Sequence, residues 1–98
     1  MEAISVDELR KRLDDNNLVL IDIREDYEHE EFNIGGQCLP MGEIQNWSAK
    51  VLQSPDLEHV IYCRSGSRSA MVAAYLINSG AQNVKSLKGG IKAWTATV

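Results

Sequence analysis

Cysteine, histidine and positive charge are all scarce in this chain, and each scarcity removes a class of function. Two cysteines, Cys38 and Cys63, cannot build a disulfide framework, and neither sits in a CxxC or a Cys/His pattern with zinc-ligand spacing. The two histidines, His29 and His59, are too isolated to propose as ligands, and each is expected at the surface or a strand edge. No apolar run approaches the length of a membrane span, and the opening MEAISVDELRK has neither the basic n-region nor the apolar h-region of a signal peptide. A net charge of −4 argues against a general nucleic-acid or membrane binder. Internal repeats, low-complexity stretches and linkers are absent too. The expectation is one soluble domain over residues 1–98, large enough for a core, in the reducing cytoplasm where a free thiol stays usable.

What is present is an alternation of strand and helix patterns. Glu2 to Val6 is read as opening with a small strand. Ser5-Val6-Asp7-Glu8 matches a capping box for a helix running to about Asp14, with Leu9 and Leu13 facing inward. Leu18 to Ile23 is a nearly unbroken apolar run, the pattern of a strand buried on both faces, and its end carries Asp22 and Arg24. Glu25 to Phe32 is an acidic short helix with Tyr27 and Phe32 expected to turn inward. Cys38 falls in a short strand after Gly35-Gly36, and Met41 to Leu52 reads as a helix with Ile44, Trp47, Val51 and Leu52 as its apolar set. A helix over Arg68 to Asn78 is capped by Gly80. A strand at Asn83 to Leu87 follows, then a terminal helix anchored by Ile91 and Trp94. Alternating elements of this kind give an α/β fold with a mostly parallel sheet.

The chemistry concentrates in HVIYCRSGSRSAMVAAYL, from His59 to Leu76. Val60-Ile61-Tyr62 is a strand, Cys63 is its last residue, and the short polar stretch 64–67 closes on a helix N-terminus. A cysteine so placed, flanked by Arg64 and Arg68, is expected to ionise more readily than a free thiol. Small residues at Ser65, Gly66 and Ser67 let successive backbone N–H groups turn inward and form an anion-binding concavity. A cysteine ending an apolar strand is often plain core. Arg-Ser-Gly-Ser-Arg, however, makes no sense as core filling.

At these residues the chain resembles the rhodanese family, in which the loop cysteine carries a transferable sulfur as a persulfide. CRSGSR resembles that family's active loop: four residues, 64–67, separate Cys63 from Arg68, where tyrosine and dual-specificity phosphatases have five. By the family pattern the shorter loop fits a sulfur atom and the longer one a phosphate group. Ile21-Asp22-Ile23-Arg24-Glu25 resembles the family motif whose Asp and Arg lie beside the loop. Leu87-Lys88-Gly89-Gly90 to Trp94 resembles its closing L-x-G-G-x-x-x-W. One stretch departs: where rhodaneses have Gly-His-Ile-x-Gly-Ala, this chain has Phe32-Asn33-Ile34-Gly35-Gly36-Gln37, so that histidine is not available as a base.

The resemblance implies a three-layer rhodanese-like fold, a mostly parallel central sheet flanked by helices. It implies a sulfurtransferase in which Cys63 takes sulfane sulfur from thiosulfate or a persulfide donor and passes it to a thiophilic acceptor, with no metal or organic cofactor. Arg64, Ser65, Gly66, Ser67 and Arg68 are the candidate substrate-binding residues. Arg64 is the candidate for anion contact and Arg68 for bracing the loop against Asp22 or Glu25, and these two roles are interchangeable at this stage. Implied partners are a small anionic sulfur donor or a persulfidated protein, and a sulfur-carrier protein. Three alternatives remain open: a catalytically weak binding or regulatory module, a phosphatase or arsenate reductase on the same fold, and for Cys38 a resolving thiol rather than an inert half of the core.

Overall fold

The computed structural model describes residues 3–96. Five strands form one sheet: β1 (Ala3–Ile4), β2 (Leu18–Asp22), β3 (Gln37–Cys38), β4 (Glu58–Tyr62) and β5 (Val84–Leu87), in the order β1-β5-β4-β2-β3. Every neighbouring pair is parallel, so the sheet is wholly rather than mostly parallel. Five α-helices connect the strands: α1 (Val6–Lys11), α2 (Asp26–Glu31), α3 (Ile44–Leu52), α4 (Ser67–Asn78) and α5 (Gly90–Ala96). A single 3-10 turn, Met41–Glu43, precedes α3, so the helix expected over Met41 to Leu52 starts tighter than α.

Side chains alternate between the two faces of a strand, and here that period of two divides the core. Ile21, Ile61 and Val84 pack with Trp47, Val51, Val72 and Leu76 on the side of α3 and α4. Leu20, Val60, Tyr62 and Leu87 pack with Leu9 and Ile91 on the side of α1 and α5. The central β4 is buried along its whole length, its Glu58 and His59 included. His59 is buried there, not at an edge: its strand lies between β2 and β5, and burial lowers its pKa, with a hydrogen bond to the Leu57 backbone opposing.

Local sequence sets most element ends. The Ser5 hydroxyl accepts from the Glu8 N–H at 3.1 Å, and it donates to the Glu8 carboxylate at 3.3 Å, so Glu8 reaches back to the side chain of the cap. Beyond α4, the Ala81 N–H bonds to Leu76 O at 2.9 Å and the Gly80 N–H to Ile77 O at 3.0 Å, closing the helix in a left-handed turn at Gly80. The opening strand begins at Ala3, and the part of that expectation resting on Glu2 lies outside the described residues.

Four apolar residues expected inside are outside, among them Leu52 at the last position of α3. Helix α1 stops at Lys11, two residues before Leu13, which therefore leaves the helix face and is exposed. Helix α2 is six residues long and buries none of its own side chains, leaving Tyr27 65% and Phe32 47% exposed.

One buried charge fastens the N-terminal half to the sheet. Glu58, at the start of β4, takes Arg12 at 2.5 Å and Lys85 at 2.7 Å. Burial pushes the Glu58 carboxyl up, but the hydrogen bonds from Arg12 and Lys85 outweigh it and hold the group below its ordinary 4.5. A carboxylate with a depressed folded-state pKa contributes stability that is complete above the unfolded value and is lost as pH falls through the folded one. Glu58→Gln should therefore lower the unfolding free energy at neutral pH by about 1.5–3 kcal/mol. It should also flatten the decline in stability below the ordinary carboxylate range. Urea unfolding of both proteins at neutral and acid pH reads the two effects.

Candidate active site

Cys63 follows directly on β4, and the chain then turns over three residues, 64–66, into α4. Gly66 makes the turn possible: it is the N-cap of α4 at φ 99°, and a side chain there would press on the Gly89 backbone N at 3.1 Å. The amides of the turn point at the sulfur. The Gly66 N–H donates to Cys63 Sγ at 3.1 Å and the Ser69 N–H at 3.4 Å. The thiol donates to the Ser69 hydroxyl at 3.7 Å, and that hydroxyl donates to Gly66 O at 3.1 Å; once the thiol ionises the hydroxyl can turn its one proton to the sulfur. The sulfur is fully buried. Burial pushes the thiol pKa up. The N–H and hydroxyl of Ser69, with the N–H groups of Gly66 and Ser65, outweigh that and bring the net shift down. A buried sulfur so held can form a thiolate and act as a nucleophile.

Carbonyls displaced by this arrangement need partners of their own. The Cys63 carbonyl accepts from the Ile91 N–H and the Arg64 carbonyl from the Lys92 N–H, both at 3.0 Å. The first turn of α5 thus lies on the back of the loop. Gly90 permits the contact: at φ 60° it brings its Cα so close that a Cβ would sit 2.5 Å from the Cys63 carbonyl oxygen.

The loop residues separate into two groups. Ser65, Gly66 and Ser67 build the turn, with the Ser65 and Ser67 hydroxyls 3.2 Å apart. Arg64 lines a cleft of about 390 Å³ between α2 and α5, whose walls also include Arg24, Phe32, Ile91 and Lys92 but not Cys63. Arg68 braces toward Glu28 of α2 at 4.0 Å, not toward Asp22 or Glu25. The carboxylate of Asp22 is already filled: it takes the Arg24 backbone N–H at 3.0 Å, the Arg24 guanidinium at 2.7 to 3.2 Å and His29 Nδ1 at 2.9 Å. Glu25 instead begins α2, where its N–H donates to Glu28 at 3.0 Å.

Asp22 is fully buried; burial raises its carboxyl, and the bonds from Arg24 and His29 prevail and lower it. Arg24 is committed to Asp22 and to Phe32 O at 2.5 Å, so it clamps the end of β2 to the end of α2. Asn33, in the place of the family histidine, donates to His29 O at 2.8 Å and accepts from the Gly35 N–H at 2.9 Å, a turn-shaping role.

Cys38 is half-buried, and its thiol donates to Arg24 O at 3.5 Å. Burial, with the carboxylates of Asp26 and Asp22, raises its pKa to about 11. It cannot resolve Cys63. Cys38 and Tyr62 both register against Asp22 from opposite sides, so they share a sheet face two strands apart, about 9–10 Å. Cys63, one residue on, packs with the opposite face. A disulfide needs Cα atoms within about 7 Å.

Two residues of the site were not foreseen from the sequence, Ser69 and Ser86. Their hydroxyls meet at 2.7 Å, both buried, joining α4 to β5 behind the sulfur. The available signal was Ser86 itself, a polar residue at an inward position of a short apolar strand. Among the described residues no group of three or more His, Cys, Asp or Glu side chains is placed to hold a metal ion.

Comparison with known proteins places this geometry in context. Residues 5–97 match the family model described as rhodanese-like domain. A protein of Allochromatium vinosum named sulfurtransferase is 39% identical over 96 residues, covering 96% of this chain and 88% of that protein. A Mycobacterium tuberculosis protein named probable adenylyltransferase/sulfurtransferase MoeZ is 36% identical over 94% of this chain, which spans only 24% of it. The crystal structure of SSP1007 from Staphylococcus saprophyticus superimposes with a TM-score of 0.83 at 30% identity, over 96% of this chain and 93% of that one.

Ser69→Ala removes a hydroxyl that favours the thiolate and leaves the backbone N–H in place. The Cys63 titration midpoint should rise, and alkylation by iodoacetamide at neutral pH should slow several-fold. The pH profile of the alkylation rate measures both.

Proposed function

The chain belongs to the rhodanese-like domain family, and on that premise we propose that it is a sulfurtransferase working through a persulfide on Cys63. The observation that carries the reading is the sulfur itself, buried and accepting N–H groups from Gly66 and Ser69 at 3.1 and 3.4 Å. Donors fixed on a sulfur in a water-poor site stabilise negative charge there without reorganising. They serve the thiolate before transfer and the persulfide after it.

In the first half-reaction the Cys63 thiolate attacks the outer sulfur of the donor. With thiosulfate, the new bond joins Cys63 Sγ to that sulfur, the donor's S–S bond breaks, and its electron pair leaves with sulfite. In the second, an acceptor nucleophile takes the outer sulfur and Cys63 leaves as thiolate. Two half-reactions through one covalent intermediate give ping-pong kinetics. Arg64, in the wall of the cleft, meets the anionic donor or leaving group, and Arg68 braces the loop against Glu28. Neither step needs a metal or an organic cofactor.

By the rhodanese family pattern, the four-residue spacing between Cys63 and Arg68 fits sulfur rather than phosphate as the transferred group. Likeness to one part of an adenylyltransferase/sulfurtransferase supports a sulfur-carrier protein among the acceptors. An unpaired reactive thiol fits a reducing compartment such as the cytoplasm. None of the described helices is long and apolar enough to cross a membrane.

Intact mass after incubation with thiosulfate should rise by one sulfur atom and return to its starting value with cyanide. Cys63→Ser should show no adduct and no transfer while keeping its fold by circular dichroism. A fully active Cys63→Ser protein would overturn the reading.

A further inference from the structure

Position 86 carries a hydroxyl where the packing asks for a hydrocarbon. Ser86 registers against Ile61 of β4, so its side chain faces the layer that holds Ile61, Val84 and Val72. It is buried, and so is Ser69, which it meets at 2.7 Å. A hydroxyl removed from water costs stability unless it is hydrogen-bonded, and an alanine would occupy this place without that cost. Among the described residues Ser69 is the one hydrogen-bond partner of the Ser86 side chain, and Ser69 belongs to the sulfur site.

A count of protons fixes the direction of that bond. The Ser69 hydroxyl has one proton and two acceptor sites. Its three neighbours are Cys63 Sγ at 3.7 Å, Gly66 O at 3.1 Å and Ser86 Oγ at 2.7 Å. Were Ser69 to give its proton to Ser86, the proton of Ser86 would be a buried donor with no acceptor. The arrangement that strands no donor has Ser86 donating to Ser69. Ser69 then keeps its own proton for Gly66 O while Cys63 is a thiol, and for the sulfur once Cys63 is a thiolate. Gly66 O loses little by the change, because the Ala70 N–H also donates to it at 3.0 Å.

We propose that Ser86 is a positioning residue for Cys63: by donating to Ser69 it holds and polarises that hydroxyl, whose proton then follows charge on the sulfur. A hydroxyl that accepts one hydrogen bond is the better donor of another. On the sulfurtransferase reading, on which this part rests, the relay serves the second half-reaction. The acceptor bonds to the outer sulfur, the S–S bond of the persulfide breaks, and its electron pair stays on Cys63 Sγ as thiolate. The Ser69 proton turns from Gly66 O to that charge and turns back when the next sulfur is loaded, and no proton leaves the pair of serines. The elements packed about the sulfur contribute apolar side chains, Ile23, Trp47 and Val72 among them. The charged groups of the loop are Arg64 and Arg68, the latter facing Glu28. A substitution at position 86 leaves all of these in place.

The test is the pH profile of Cys63 alkylation by iodoacetamide, followed by peptide mass, in wild type, Ser86→Ala, Ser69→Ala and the double variant. Ser86→Ala should raise the titration midpoint by about half a unit and slow alkylation at neutral pH about threefold, the scale of one neutral hydrogen bond. In the Ser69→Ala background the same substitution should change nothing further, because Ser86 reaches the sulfur only through Ser69. Alanine adds no volume at position 86, and circular dichroism checks that the fold is kept. An unmoved midpoint in Ser86→Ala, or an equal shift with and without the Ser69 hydroxyl, would overturn the proposal. Return of sulfur from persulfidated Cys63 to cyanide should slow about threefold as well in Ser86→Ala. A wild type that takes no sulfur from thiosulfate, with the midpoints still moving as expected, would overturn the sulfurtransferase reading and support the relay.

Discussion

Two backbone hydrogen bonds hold the site in shape: Ile91 N–H to the Cys63 carbonyl and Lys92 N–H to the Arg64 carbonyl. A peptide that turns its N–H toward a sulfur turns a neighbouring carbonyl away, and a buried carbonyl without a partner costs about as much as a lost hydrogen bond. The first amides of α5 would have no partner within their own helix. Each set of orphan groups satisfies the other. Gly89 and Gly90, at the start of α5, are therefore part of the support of the sulfur site.

A second constraint works at the end of β2. The buried Asp22 carboxylate collects Arg24 and His29, so the loops after β2 and α2 are fixed to each other before the reactive loop is considered. Tyr62 extends the same frame: its hydroxyl donates to Gly35 O at 2.9 Å and accepts from the Ile34 N–H at 3.3 Å. Residue 62 thus secures the turn at 33–36 on one sheet face, and residue 63 presents its sulfur on the other. Strand alternation divides structural and chemical duty between adjacent residues of one chain segment.

Much of this was legible in the sequence. The unbroken apolar runs of β2 and β4, the strand-loop-helix sense of the cysteine motif and the glycine cap of α4 all report local constraints, and they correspond to the observed elements. What was not legible depends on distant partners. Leu13, Tyr27 and Phe32 are apolar, but helices of six residues cannot carry a full inward stripe, and α2 lies where nothing covers it. His59 looked like an edge residue because sequence does not reveal that two strands flank its own. Arg68 turned to Glu28 because the two nearer candidates by motif, Asp22 and Glu25, were engaged elsewhere. The Ser69–Ser86 contact joins residues seventeen apart and has no periodic signature.

The placement of Cys38 on the far side of the sheet has a consequence for damage and repair. Peroxide converts a thiolate to a sulfenic acid, which a nearby thiol can trap as a disulfide before it advances to the sulfinic and sulfonic forms. This chain has only two cysteines, and the second faces away with its proton retained. Within these residues an oxidised Cys63 has no second thiol in reach to trap it. The enclosing wall of amides and serine hydroxyls is therefore its shield.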